Sequence, residues 1–283
     1  MKHLLLLLVA AAPLCLALPE SISFVEPADL PEEFMQAHLG SNDAQVCIDK
    51  QLLQCQNSFN WYLNITSDAD WTNPTVLIHL IQGFYEQGIS GILKLCTART
   101  YFQQCLGSSY MACMQPTKFL SKGQSLRDAW RYIGVMRELE FQCNGGFLQT
   151  TQNWDCILQI QKSQKDMYAQ CQDAFHNATQ KDPTIVCQAS VDFSNCARAP
   201  YFVGCGADAG WWECERVRIS LNLDQSCPEN LCAFNHFLAP QPSSLNKYLS
   251  HGEKLAQTQH VSQNKLDFLA DRVRRIEKRM TNN

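Results

Sequence analysis

Four cysteines, Cys187, Cys196, Cys205 and Cys214, recur at a constant interval with eight residues between each. On an α-helix a step of nine residues covers about 13 Å and turns the chain by about 900°, so successive side chains point to opposite faces. A disulfide needs Cα atoms within about 7 Å. Neighbours in this run, and Cys47 and Cys55 in "CIDKQLLQC", therefore cannot bond each other across one straight helix. Each is expected to staple its own segment to a different one. The breakers in "ARAP" and "GCGADAG" predict that 187–214 is cut into short segments, each offering a cysteine inward.

The chain has fifteen cysteines, an odd number. The opening "MKHLLLLLVAAAPLCLALPE" has a short basic start, an apolar run and small residues before Leu18, and it reads as a secretory leader over 1–17. Its cleavage would remove Cys15. Fourteen would remain: Cys47, Cys55, Cys96, Cys105, Cys113, Cys143, Cys156, Cys171, Cys187, Cys196, Cys205, Cys214, Cys227 and Cys232. An even set in an oxidising compartment predicts seven disulfides, whose pairing the sequence leaves open. A structural zinc site would ask for two close cysteine pairs. "CPENLC" has no matching second pair, and no Cys-x-x-Cys redox motif is present. No metal and no cofactor are expected.

Two sequons, "NIT" at Asn64 and "NAT" at Asn177, fit a secreted glycoprotein. The net charge of −4 gives no reason to expect a nucleic-acid partner. The most apolar later stretch, "TVLIHLIQGFYEQGISGILKLC", is interrupted by His79, Glu86 and Lys94, so no transmembrane anchor is expected.

Composition divides the remainder. Residues 18–46 hold six acidic side chains, no lysine or arginine and three prolines, and are expected to be a flexible lead-in. Residues 47–232 hold every remaining cysteine and form the cysteine-rich domain. Residues 233–283 begin as a polar linker and end in "LDFLADRVRRIEKRM". There Leu266, Leu269, Val273, Ile276 and Met280 make a short amphipathic helix, with weak self-association through 266–280 as one use and packing on its own domain as another. "RVRR" at 272–275 also fits a convertase site, and a solvated helix face with Asp271 and Glu277 gives the same letters.

The expected fold class is mostly α, because apolar residues recur at three- and four-residue steps and little strand alternation is present. "SLRDAWRYIGVMRELEFQC" predicts a helix over 125–143, capped by Ser125 with Asp128 and stopped by Asn144-Gly145-Gly146. One helix is expected from Cys156 through Cys171, with both cysteines facing the core, and another over 74–95. Shorter ones are expected at 47–55 and 209–221.

No Gly-x-Ser-x-Gly, His-Glu-x-x-His or phosphate-binding loop is present, and no enzyme activity is expected. His38, His79, His176, His236, His251 and His260 are scattered, and Glu138 and Glu140 read as solvated residues on different helix faces. Of the adjacent Trp211 and Trp212, only one can point deep into a core. The expected function is a secreted, disulfide-stabilised binding protein with an extracellular protein, glycan or small apolar ligand as partner. The alternative is a carrier of a lipid or small apolar ligand, in a pocket lined by residues such as Phe84, Trp130 and Trp211.

"CIDKQLLQC", the trio in "CTARTYFQQCLGSSYMAC", "ELEFQC", Cys156, Cys171 and the closing "CGADAGWWECERVRISL" together resemble the secreted cysteine-rich domains of nematodes, including the chondroitin-proteoglycan type. The resemblance spans 47–232 and implies an extracellular, helical, disulfide-stapled domain with no established catalytic role. Chondroitin attachment is not implied, since the only Ser-Gly, Ser90-Gly91, lies in an apolar run.

Overall fold

The structure, a computed structural model, describes residues 30–39 and 46–232 of the chain. The described residues are helical and contain no strand. In chain order the helices are α1 (Glu32–Ala37), α2 (Asp49–Leu63), α3 (Pro74–Glu86), α4 (Ile89–Leu106), α5 (Tyr110–Cys113) and α6 (Pro116–Leu120). They continue as α7 (Leu126–Cys143), α8 (Phe147–Ser163), α9 (Lys165–Lys181), α10 (Val186–Cys205), α11 (Ala207–Ser220) and α12 (Leu223–Ser226). The leader, Cys15, the 266–280 segment, "RVRR", His236, His251 and His260 lie outside the described residues.

Helix α7 forms where expected. The Ser125 Oγ accepts from the Asp128 N–H at 3.0 Å and donates to its carboxylate at 2.7 Å, satisfying a helix-end donor. Around it lie two apolar clusters. Ile133, Met136 and Leu139 join α2, α3 and α4, whereas Trp130, one turn earlier, packs among α1, α9, α10 and α11.

All seven disulfides form, with Cα separations of 4.8 to 5.9 Å, and no cysteine pairs with its neighbour in sequence. Cys47–Cys113, Cys55–Cys105 and Cys96–Cys143 close the half of the chain that ends at α7. Cys156–Cys205, Cys171–Cys196, Cys187–Cys227 and Cys214–Cys232 close the second half. No bridge crosses between Cys143 and Cys156. Side-chain packing and hydrogen bonds join the halves.

The structure corrects four expectations about the helices and the lead-in. The breakers in "ARAP" do not cut the 187–214 run: α10 continues through Pro200 and ends only at Gly206, whose φ of +99° suits glycine. One helix thus carries Cys187, Cys196 and Cys205. The half-turn offset between them is met by partners on different elements, namely the segment after α12, then α9, then α8.

The helix expected from Cys156 through Cys171 is two helices, α8 and α9, bent at Gln164 (φ −117°, ψ 22°). The disulfides require the bend. Fifteen residues of straight helix would separate Cys156 and Cys171 by about 22 Å, yet their partners are nine residues apart on α10, about 13 Å. Only Cys171 is buried, and Cys156 is half-buried.

The helix expected over 74–95 is likewise two. Asn73 caps α3 and Gly88, at φ +75°, ends the connection to α4. Gly91 lies against the Phe84 carbonyl, where an added methyl would collide with backbone. Gly91→Ala is expected to destabilise by about 1–3 kcal/mol, the usual range for overpacking, read as a lower midpoint in denaturant. An unchanged midpoint would show that α3 and α4 separate freely.

Part of the acidic lead-in is ordered. Leu30, Phe34 and Met35 are buried in the second cluster, so α1 gains enough apolar burial to offset its ordering entropy.

Candidate functional site

Helices α2 and α4 pack antiparallel, joined by Cys55–Cys105, by Phe59 against Phe102 at 6.0 Å and by the Gln51 amide donating to the Cys105 carbonyl at 2.7 Å. Leu52, Phe59 and Leu63 take the inner face of α2. The outer face holds Lys50, Leu53, Gln54, Asn57, Ser58 and Trp61, which line a shallow groove of about 480 Å³. Trp61 is 83 % exposed. On α4, Leu93 and Tyr101 also reach solvent, and Tyr101 meets Tyr62 edge-on at 5.5 Å. Exposed large apolar side chains on a rigid frame are the ordinary material of a contact surface.

The C-terminus of α2 is held from inside. The Tyr132 hydroxyl donates to the Gln56 side-chain oxygen at 2.6 Å, and the Gln56 amide donates to Asn60 Oδ1 at 2.9 Å. The Asn60 amide then donates to the Thr66 carbonyl at 3.0 Å and the Ala69 carbonyl at 3.1 Å. All three side chains are buried. The turn after α2, which begins at Asn64 in the left-handed conformation (φ 57°, ψ 45°), is therefore fixed relative to the helix.

A second constellation lies in the seam between the two disulfide-closed halves. Arg216 of α11 donates to both carboxylate oxygens of Glu213 at 2.7 Å. Its third nitrogen stands 3.5 Å from the Glu138 carboxylate of α7. All three residues are buried. The Gln142 amide donates to Glu138 at 2.9 Å, and the Arg216 guanidinium donates to the Tyr168 hydroxyl at 3.2 Å. Two carboxylates share one cation, and burial pushes the Glu138 carboxyl up to about 7, opposed by Arg216. Burial also raises the Glu213 carboxyl, outweighing its attraction to Arg216. Burial likewise lifts the phenols of Tyr85, Tyr168 and Tyr201 around the cluster. The expectation that Glu138 is solvated is thus wrong. Glu140, partly exposed, pairs instead with the buried Arg99 at 3.0 Å and accepts from the Tyr110 hydroxyl, whose titration burial pushes up to about 12.

Further bonds tie the seam. Arg137 of α7 donates to Asn222 at 2.8 Å and to Asp224 of α12 at 2.9 Å. The Trp154 indole of α8 donates to the Tyr85 carbonyl of α3 at 3.3 Å, whereas the Trp212 indole, donating to Thr150 Oγ1 at 2.8 Å, holds α11 to α8 on one side of the seam.

The residues expected to line a carrier pocket are not brought together. Phe84 and Trp211 pack with the first cluster, and Trp130 is buried in the second. The space among Ile160, Gln161, Gln164, Tyr168, Pro200 and Tyr201 is about 10 Å³, about one water. Trp212 is the inward member of its pair, as the helical step requires. Both sequon asparagines are exposed, Asn64 at the end of α2 and Asn177 within α9. His38, His79 and His176 are exposed and stand on different elements, α3 and α9 for the last two and the end of α1 for the first. Among the described residues no group of three histidine, cysteine or acidic side chains is placed to hold a metal, and no helix is long and apolar enough to cross a membrane.

Sequence reading missed Leu53, Trp61 and Tyr101. The signal was present in "LLQCQNSFNWYL", since a helix that buries Leu52, Phe59 and Leu63 must turn Leu53 and Trp61 outward. Compared with protein-family models, with curated proteins and with solved structures, the chain matches none of them.

Proposed function

We propose that this protein is a secreted binding protein that meets an extracellular protein partner through the outer face of α2 and α4. The observation that carries the reading is the disulfide-fixed α2–α4 pair presenting Leu53, Leu93 and Tyr101 to solvent. Seven disulfides suit an oxidising compartment. A rigid frame reduces the entropy lost on association, so exposed aromatic and aliphatic anchors bind more effectively than on a mobile segment. The buried ionic groups are engaged with one another in the seam, and none is assigned a catalytic role. The order of the cysteines, similar to that of nematode secreted domains, supports the same extracellular setting.

The test is site-directed crosslinking. A photoreactive side chain at position 53 of the full secreted chain, irradiated in the extracellular fluid of the cells that produce it, is expected to yield a discrete protein adduct. Leu93→Asp combined with Tyr101→Asp should remove the adduct and leave stability within about 0.5 kcal/mol per site, as for other surface changes. No adduct, or one indifferent to these substitutions, would overturn the reading.

A further inference from the structure

We infer that an N-linked glycan on Asn64 folds back on the exposed indole of Trp61, so that the C-terminal end of the α2 groove is a seat for the chain's own sugar. The inference goes beyond the binding reading and does not depend on any partner.

Three observations converge on it. The first is position. The groove residues climb α2 at helical spacing, 50, 53 and 54, 57 and 58, then 61, and the sequon asparagine, Asn64, follows Trp61 by three residues as the left-handed residue that ends the helix. Its N–H still donates to the Trp61 carbonyl at 3.0 Å, so its backbone lies within one turn of Trp61. Asn64, Thr66 and Trp61 are all exposed, so the acceptor site is open at the same end of α2 as the ring.

The second is rigidity. The chain of hydrogen bonds Tyr132, Gln56, Asn60 and the Thr66 carbonyl clamps the turn to the helix. The Ile65 N–H also donates to the Asn60 carbonyl at 3.0 Å, and the Asn64 N–H to the Trp61 carbonyl at 3.0 Å. A sugar on Asn64 therefore leaves the surface from a fixed point instead of sampling the solvent on a loose loop.

The third is chemistry. Trp61 is largely exposed, although every other tryptophan is buried or half-buried. The C–H face of a pyranose stacks on an indole because the ring face is electron-rich and apolar. The flanking Asn57, Gln54 and Ser58 supply polar groups along the same groove. The second sequon offers no such seat. Beside Asn177, Phe175 is buried against Phe193, and Thr179 is buried with its hydroxyl donating to the Phe175 carbonyl. The consequence for binding is a division of the face: sugar covers Trp61, and Leu53, Leu93 and Tyr101 stay open.

The test uses the full chain secreted from cells that attach N-glycans, as wild type, Asn64→Gln, Trp61→Ala and the double variant. Peptide mass spectrometry reads occupancy at Asn64, and oxidation of Trp61 by N-bromosuccinimide reads its cover. An aromatic stacking contact corresponds to a factor of roughly two to ten in occupancy, so oxidation should slow about threefold or more in wild type relative to Asn64→Gln. The glycan should also raise the thermal midpoint in the Trp61 background, and that gain should vanish in Trp61→Ala. An unmodified Asn64, equal oxidation with and without glycan, or an equal midpoint gain without Trp61 would each overturn the inference.

Discussion

Glu138→Gln should lessen the fall of the protein's stability with pH between about pH 4.5 and pH 7 and leave the variant more stable than wild type at pH 8. The buried Glu138 carboxyl has its titration raised from 4.5 to about 7, chiefly by burial. The folded state then holds a proton that the unfolded chain has already released within that window. Stability falls wherever the folded state binds more protons as pH rises, so wild type loses stability from pH 4.5 up to pH 7. Each tenfold change in proton affinity corresponds to about 1.4 kcal/mol, giving a loss of about 3 kcal/mol, or a midpoint change on the order of 10 °C. Glu213, also raised, acts with the same sign. Asp49 and Asp182 are lowered by their partners, Lys118 with Lys122 and Thr184 respectively, and act below pH 4, outside the window. The measurement is thermal unfolding of the oxidised protein from pH 4.5 to 8. A wild-type profile that is flat or rises with pH would show that the seam does not hold a proton.

Arg216→Met should have the opposite and larger effect. Removing the guanidinium leaves Glu138 and Glu213 buried with no cation and strips the Tyr168 hydroxyl of its donor. Breaking one partner of a buried ion pair ordinarily costs about 3–5 kcal/mol. Here the loss falls where no disulfide helps, so the two halves should loosen before either unfolds. Hydrogen exchange at neutral pH should accelerate first in α7 and α11. Acidification should recover part of the loss by protonating both carboxylates. Adding Glu138→Gln and Glu213→Leu should restore more, because no carboxylate is then left buried without a cation. Exchange that accelerates uniformly in every helix would argue against a seam of separate strength.

What the sequence makes legible follows from the range of the interaction. Helix α7 is readable because its cap, its stripe and its stop all lie within about twenty residues of chain. The break at Gln164 is not, because nothing local demands it; the demand comes from Cys196 and Cys205 on another helix. Pro200 misleads for a similar reason. Proline removes one hydrogen bond, and packing of Ala197, Tyr201 and Gly204 against neighbouring elements carries α10 across the gap. The same limit hides the site. Trp61 and Asn64 are close in sequence and their relation is readable in principle, whereas the approach of Glu138 to Arg216 joins residues from opposite halves of the chain.

The division of the bridges also bears on how the protein is made. Synthesis runs from the N-terminus, and all three partners of Cys47, Cys55 and Cys96 have been made once the chain has grown past Cys143. The first half can therefore complete its oxidation while the second is still unmade. That leaves the eight later cysteines a smaller set of wrong partners to try. The fourteen thiols that form the seven bridges are made as six and then eight. Vectorial synthesis thus separates pairings that refolding from the fully reduced state would have to sort out all at once.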